Sequence, residues 1–174
     1  MSSANHTYAL ADEAATLALG AALAAVLRPG LTIYLHGELG AGKTTLTRGL
    51  LRALGHTGPV RSPTYALVEL YVISGYILYH FDFYRFNSPE EWLEAGLDEH
   101  FNQDTVCLVE WPEKAGDLLP PADIHAVIEV VESEDGPADG ATEKQARRIT
   151  LNAHSERGIS CLNDLRFPSV PPAP

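Results

Sequence analysis

Residues 37–44 read Gly-Glu-Leu-Gly-Ala-Gly-Lys-Thr, the spacing G-x-x-x-x-G-K-[ST] of a phosphate-binding loop. Glycines let the backbone curl until successive N–H groups face an anion. Lys43 then sets a positive charge on the terminal phosphates, and the Thr44 hydroxyl offers a ligand to Mg²⁺. Glu38, Leu39, Gly40, Ala41, Gly42, Lys43, Thr44 and Thr45 are therefore the expected nucleotide-contacting positions. A chance glycine-rich turn would lack the flanking elements. Here a β-rich apolar run over residues 31–35 enters the loop and a helical stretch over residues 43–54 leaves it. That helix aims its positive N-terminal end at the phosphates. The sequence predicts binding of a nucleoside triphosphate.

Such a loop needs an acid at the end of a neighbouring strand to hold Mg²⁺ directly or through water. Glu110 follows the continuous apolar run 106–109, the composition of a strand buried on both faces. Asp82 ends a run better suited to a hairpin. The expected division puts Glu110 on the metal and Asp82 on the γ-phosphate side, orienting water or metal. The plainer reading of either is a solvated carboxylate at a strand end. Ser62-Pro63-Thr64-Tyr65 lies where nucleotide switches place a hydroxyl that senses Mg²⁺ and γ-phosphate, although a proline-initiated turn accounts for it equally. Tyr84 and Trp111 read as core residues, with Trp111 following Glu110 closely enough to lie near nucleotide. His80 and Cys107 read as packed strand residues, and the chain order gives no Cys–His or Ser–His–Asp arrangement.

The elements that must carry these residues are legible from punctuation. An edge strand is expected over residues 7–10. Asp12 caps a helix reaching about residue 28, where Pro29-Gly30 ends it. Gly55 stops the loop helix. Residues 66–73 and 76–83 flank Ser74-Gly75 as a hairpin. Ser88-Pro89 starts a short helix that Gly96 closes, and residues 98–102 form a further turn. Strands follow over residues 105–109, 123–131 and 147–153, with residues 132–144 an acidic, solvated loop between the last two. The expected organisation is one α/β domain over residues 1–154, a P-loop NTPase-like three-layer fold. Its central sheet is mainly parallel, with antiparallel strands added at the edges. Residues 155–174 form an irregular, proline-ending C-terminal extension.

Composition narrows the partners. The chain has 174 residues, a formal net charge of −11 and a pI near 4.9. Bulk nucleic acid repels so acidic a surface, which still leaves room to serve a nucleic-acid enzyme by docking on a more basic partner protein. Two cysteines, Cys107 and Cys161, make neither a disulfide framework nor a zinc site. No apolar run nears the ~20 residues that span a bilayer. The run over residues 17–27 follows Asp12 and Glu13, where a signal peptide has Lys or Arg. The cytoplasm, without membrane contact, is the expected location.

Five segments resemble the TsaE (YjeE) family: Gly-Glu-Leu-Gly-Ala-Gly-Lys-Thr-Thr (37–45), Ser-Pro-Thr-Tyr-Ala-Leu-Val-Glu (62–69), His-Phe-Asp-Phe-Tyr-Arg (80–85), Glu-Ala-Gly-Leu-Asp-Glu (94–99) and Val-Glu-Trp-Pro-Glu-Lys (109–114). With residues 12–20 they cover the chain from about residue 8 to residue 153 in the family's order. The resemblance implies a bacterial P-loop ATPase needed for threonylcarbamoyladenosine modification at tRNA position 37. It implies action in a complex with TsaD and TsaB, which carry the transfer chemistry and through which tRNA is met indirectly. Residue by residue, it implies Lys43 on the phosphates, Thr44 and Glu110 on Mg²⁺, and Asp82 needed for ATP hydrolysis. It further implies Thr64 as the switch hydroxyl, Trp111 near the nucleotide, and Arg147 or Arg148 near the adenine.

Two other readings compete. A small P-loop kinase would use Asp82 to take a proton from an acceptor hydroxyl and Arg85 to brace phosphate, but no arginine-rich lid segment is present. A regulatory GTP switch lacks its guanine-reading Asn/Thr-Lys-x-Asp segment.

Overall fold

The computed structural model describes residues 4–132 and 145–168. Within them the strands are β1 (Asn5–Leu10), β2 (Thr32–His36), β3 (Val68–Ile73), β4 (Tyr76–Asp82), β5 (Thr105–Glu110), β6 (Ile124–Val131) and β7 (Ala146–Ala153). The α-helices are α1 (Glu13–Ala24), α2 (Lys43–Ala53), α3 (Glu90–Ala95) and α4 (Glu156–Asp164). All seven strands join one sheet in the order β1-β7-β6-β2-β5-β4-β3. Neighbours among β6, β2, β5 and β4 run parallel. Antiparallel strands close both edges, β7 and β1 on one side and β3 on the other. The sheet is thus evenly mixed, not mainly parallel, because β3 adds one antiparallel strand at one edge while β7 and the N-terminal β1 add two at the other. No described helix is long and apolar enough to cross a membrane.

Alternation along the central strands divides the core between two faces. On β2, Ile33 and Leu35 join the cluster under α1, α2 and α4, while Tyr34 joins the opposite cluster. On β5, Val106 and Leu108 face the first cluster, Cys107 and Val109 the second. Every residue of β5 is buried, as its unbroken apolar run requires. The second face is aromatic: Phe83 stacks on Phe86 with centroids 4.7 Å apart and meets Trp92 of α3 edge-on at 5.6 Å.

Helix α1 starts as expected, with Asp12 accepting from the Ala15 amide at 2.9 Å. It stops at Ala24 instead of about residue 28. Ala25 and Val26 donate back to Ala22 and Leu23, tighter i→i−3 bonds that end the helix and let Leu27 turn into the core. Two glycines bring α1 onto α2. A Cβ on Gly20 would lie 2.2 Å from the Leu46 carbonyl oxygen, and one on Gly49 would lie 2.2 Å from that of Leu17. Gly49→Ala is therefore expected to lower stability. Overpacking costs about 1–3 kcal/mol or more against backbone, and helix propensity returns at most about 1 kcal/mol. A thermal melt should register a loss of several degrees, about 2–4 °C per kcal/mol at this size. An unchanged Tm would contradict the close crossing.

The reading of the C-terminal extension as irregular fails over Glu156–Asp164. Ser155 caps α4, accepting from the Gly158 amide at 3.0 Å. Cys161, Leu162 and Leu165 fall at helical spacing and are buried in the first core cluster. Gly158 allows the approach, since a Cβ there would lie 2.2 Å from the Asp123 carbonyl oxygen. Residues 133–144 of the expected acidic loop and 169–174 of the proline-rich end lie outside the described residues.

Candidate nucleotide site

The loop between β2 and α2 bends where its glycines stand, with φ of +154° at Gly37, +79° at Gly40 and +111° at Gly42. A Cβ on Gly37 would approach the Ile128 carbonyl oxygen to 2.7 Å, so a larger residue would push the loop off β6. Gly42 opens α2 with no side-chain cap. The helix's first amides are thus left for an anion. Lys43 curls back under the loop, its Nζ donating to the carbonyls of Gly37 at 2.5 Å and Glu38 at 3.1 Å. The same ammonium lies 4.1 Å from the centroid of the Trp111 ring, within cation–π range. Burial lowers the Lys43 pKa, against the opposing pull of Glu110, Glu113, Asp82 and Glu38. A bound polyphosphate would supply the counter-charge that burial leaves short.

Strands β4 and β5 deliver the two acids. Their parallel register sets Asp82 beside Glu110 at the carboxyl ends of neighbouring strands, where open α/β sheets bind ligands. Both residues are buried, each 3 % exposed. One Asp82 oxygen accepts the Ser62 hydroxyl and the other the Tyr84 amide at 2.8 Å. Thr64 is one step removed, 3.5 Å from Ser62 Oγ. Glu110 Oε1 accepts from Thr44 Oγ1 at 2.7 Å and meets His80 Nε2 at 2.9 Å. Trp111, next along, is held in the left-handed region at φ +56°, a conformation that a bulky residue keeps only under constraint.

Arg147 reaches the loop from β7. Its Nε donates to the Ala41 carbonyl at 2.6 Å and a terminal nitrogen to that of Gly40 at 3.2 Å. Arg148 points elsewhere and pairs with Glu129 at 3.0 Å. These groups enclose a cavity of about 760 Å³, lined also by Asp12, Glu13 and Thr16 at the start of α1. That volume lies within the range of small-molecule sites. Thr44 and Glu110 together present hard oxygen donors, a set that suits Mg²⁺ when phosphates and water complete the shell. Among the described residues no three His, Cys, Asp or Glu side chains form a metal cage.

A sequence profile for "Threonylcarbamoyl adenosine biosynthesis protein TsaE" matches residues 10–139. The chain belongs to the TsaE family. It is 49% identical over 162 residues to the "tRNA threonylcarbamoyladenosine biosynthesis protein TsaE" of Haemophilus influenzae, covering 90% of this chain and 95% of that protein. The protein of the same description from Bacillus subtilis is 42% identical over 113 residues, 65% of this chain and 70% of its own length. The crystal structure of Bacillus subtilis YdiB superposes with a TM-score of 0.72 at 30% identity, covering 95% of this chain and 96% of that one.

In this TsaE-family chain the loop, Thr64, Asp82, Glu110, Trp111 and Arg147 converge on one cavity, except that Gly37, Glu38 and Ala41 support it without lining it. Two contacts escaped the sequence reading. Ser62, not Thr64, touches Asp82 directly. His80, read as packing, reaches Glu110. The signal for His80 was its position two residues before Asp82, which puts both on one face of β4.

At the loop's base, His36 Nε2 and His125 Nδ1 are 2.8 Å apart, and His154 meets His125 edge-on at 4.6 Å. Burial, then the neighbouring His36 and His154, lower the His125 pKa to about 4. An unfolded histidine titrates near 6.5. Between those values the unfolded chain binds more protons, so stability falls as pH drops from about 6.5 toward 4. Melting at pH 7.5 and pH 5 should show a lower Tm at pH 5, and His125→Asn should shrink that difference. Equal slopes in the two proteins would remove His125 as the cause.

Proposed function

We propose that the chain is the ATP-binding and ATP-hydrolysing subunit of tRNA threonylcarbamoyladenosine synthesis, a P-loop NTPase-like domain working in the cytoplasm with TsaD and TsaB. The observation that carries this reading is the meeting of Lys43, Thr44, Asp82 and Glu110 at one end of three neighbouring parallel strands, around a nucleotide-sized cavity. Loop amides and Lys43 bind the phosphate chain. Arg147 braces the loop by holding the Gly40 and Ala41 carbonyls, so those carbonyls turn away from the anion. Thr44 and Glu110 are the residues that would hold Mg²⁺, and the ion would supply charge neutralisation for the phosphate chain. Asp82, fixed by Ser62 and the Tyr84 amide, orients the attacking water. Trp111 stacks against Lys43 and limits the motion of its ammonium.

The kinase reading loses its phosphate brace. Arg85 lies over the exposed Tyr65 ring at 4.0 Å and is not among the residues lining the cavity.

A nucleotide panel tests the reading. ATP with Mg²⁺ at about 100 times its Kd should stabilise the fold by about 2.7 kcal/mol, several degrees in Tm. Hydrolysis should need no small-molecule acceptor and should rise when TsaD and TsaB are added. A flat melting curve across ATP, ADP and GTP would end the nucleotide reading. Failure to restore threonylcarbamoyladenosine in a strain depleted of its own TsaE would end the tRNA reading.

A further inference from the structure

His80 is fully buried on β4, and the site as described gives it no work. Its Nε2 lies 2.9 Å from Glu110 Oε1, while its Nδ1 is buried without a partner among the described residues. A carboxylate only accepts, so the bond requires the proton on Nε2. A proton on Nδ1 would be buried with no acceptor, at the cost of an unsatisfied donor. The environment therefore selects one tautomer, which points a fixed donor at Glu110.

We propose that His80 is the positioning residue for Glu110, the imidazole that sets the orientation of the carboxylate which, with Thr44, receives the nucleotide's divalent cation. The inference rests on the nucleotide reading above and extends it. Two donors, Thr44 Oγ1 and His80 Nε2, converge on the same oxygen, Oε1; Oε2 takes part in neither bond. Thr44 stands at the mouth of the loop and is itself a ligand candidate, so its hydroxyl is shared between two tasks. His80 has only one. It comes from a strand flanked by β3 and β5 and paired with β5 through Leu108, two residues before Glu110. Its contact is therefore set by the sheet and not by the loop. Hydrogen-bond partners of this kind on metal-binding groups typically govern metal affinity by 10–100-fold.

The test uses the full chain and two substitutions. His80→Phe keeps a ring of similar size and removes the donor; His80→Gln keeps an N–H that can reach Glu110. ATP affinity is read from Trp111 fluorescence in EDTA and across a Mg²⁺ titration. His80→Phe should bind ATP in EDTA as the parent does, yet need about 10–100-fold more Mg²⁺ for its half-maximal effect. His80→Gln should recover most of that loss. Nitrogen-15 NMR of the parent should place the His80 ring proton on Nε2. An unchanged Mg²⁺ titration in His80→Phe, or equal losses with and without metal, would overturn the proposal alone, as would a proton found on Nδ1. A parent protein without Mg²⁺-dependent binding would overturn it together with the reading it rests on.

Discussion

Asp82→Asn is expected to bind Mg-ATP within a few-fold of the parent and to hydrolyse it about 10²–10⁴-fold more slowly, the span typical of losing a positioned acid–base group. The substitution isolates charge. The Asn carbonyl oxygen can still accept the Tyr84 amide, and its NH₂ group can donate to Ser62 Oγ, so the bonds that now hold Asp82 keep counterparts. A residue that acts only in the transition state lowers kcat and leaves ground-state binding nearly intact. Glu110→Gln should behave differently. Its carboxylate meets Thr44 at the start of α2, so losing its charge should weaken the Mg²⁺-dependent part of binding along with turnover. Affinity, Mg²⁺ dependence and turnover of both variants, measured with TsaD and TsaB present, separate the two roles. If Asp82→Asn loses Mg²⁺-dependent binding while Glu110→Gln keeps it, the roles are exchanged. If both turn over normally, neither acid belongs to the chemistry.

The parts of this site that were legible in the sequence are those whose backbone demands particular residues. The loop glycines could be located because positive φ at Gly37, Gly40 and Gly42 excludes most side chains. Glu110 could be placed because it ends an apolar run that only a central strand explains. What stayed hidden depended on pairing between distant segments. Nothing local puts Ser62 rather than Thr64 against Asp82; the bend through Pro63 and the return of the chain to β3 decide it. His80 looked like packing because burial and partnership leave the same mark on a strand. The α1 N-terminus lines the cavity wall on a helix that crosses α2 closely at Gly20 and Gly49, a contact between two helices that single-helix periodicity does not report. Helix α4 is a different case. Ser155, Cys161, Leu162 and Leu165 carry a cap and a buried stripe at the right spacing, but Gly158 and Asn163 lower the helical propensity. The pattern becomes persuasive only with the sheet beneath it.

Lys43→Ala should cost nucleotide affinity roughly tenfold to a hundredfold, the equivalent of about 1.5–3 kcal/mol for a charge-assisted contact. The ammonium now sits between two loop carbonyls and the Trp111 ring, and burial makes its charge expensive. Its removal therefore has unequal consequences with and without ligand. The unliganded variant loses a buried charge along with its hydrogen bonds, so its stability should change little. The liganded variant loses the counter-charge of the phosphates. At an ATP concentration about 100 times the parent's Kd, a hundredfold weaker variant is only half saturated. Its stabilisation by ligand then falls from about 2.7 to about 0.4 kcal/mol. The ATP-induced rise in Tm should fall to about half of the parent's at a tenfold loss of affinity and nearly vanish at a hundredfold loss, while the ligand-free Tm stays close to the parent's. Lys43→Arg should not rescue it, because the larger planar guanidinium cannot occupy the same site between Gly37 and Trp111. A Lys43→Ala protein that keeps the full ATP-induced shift would show that the phosphates are held without this side chain, and the assignment of the loop would fall with it.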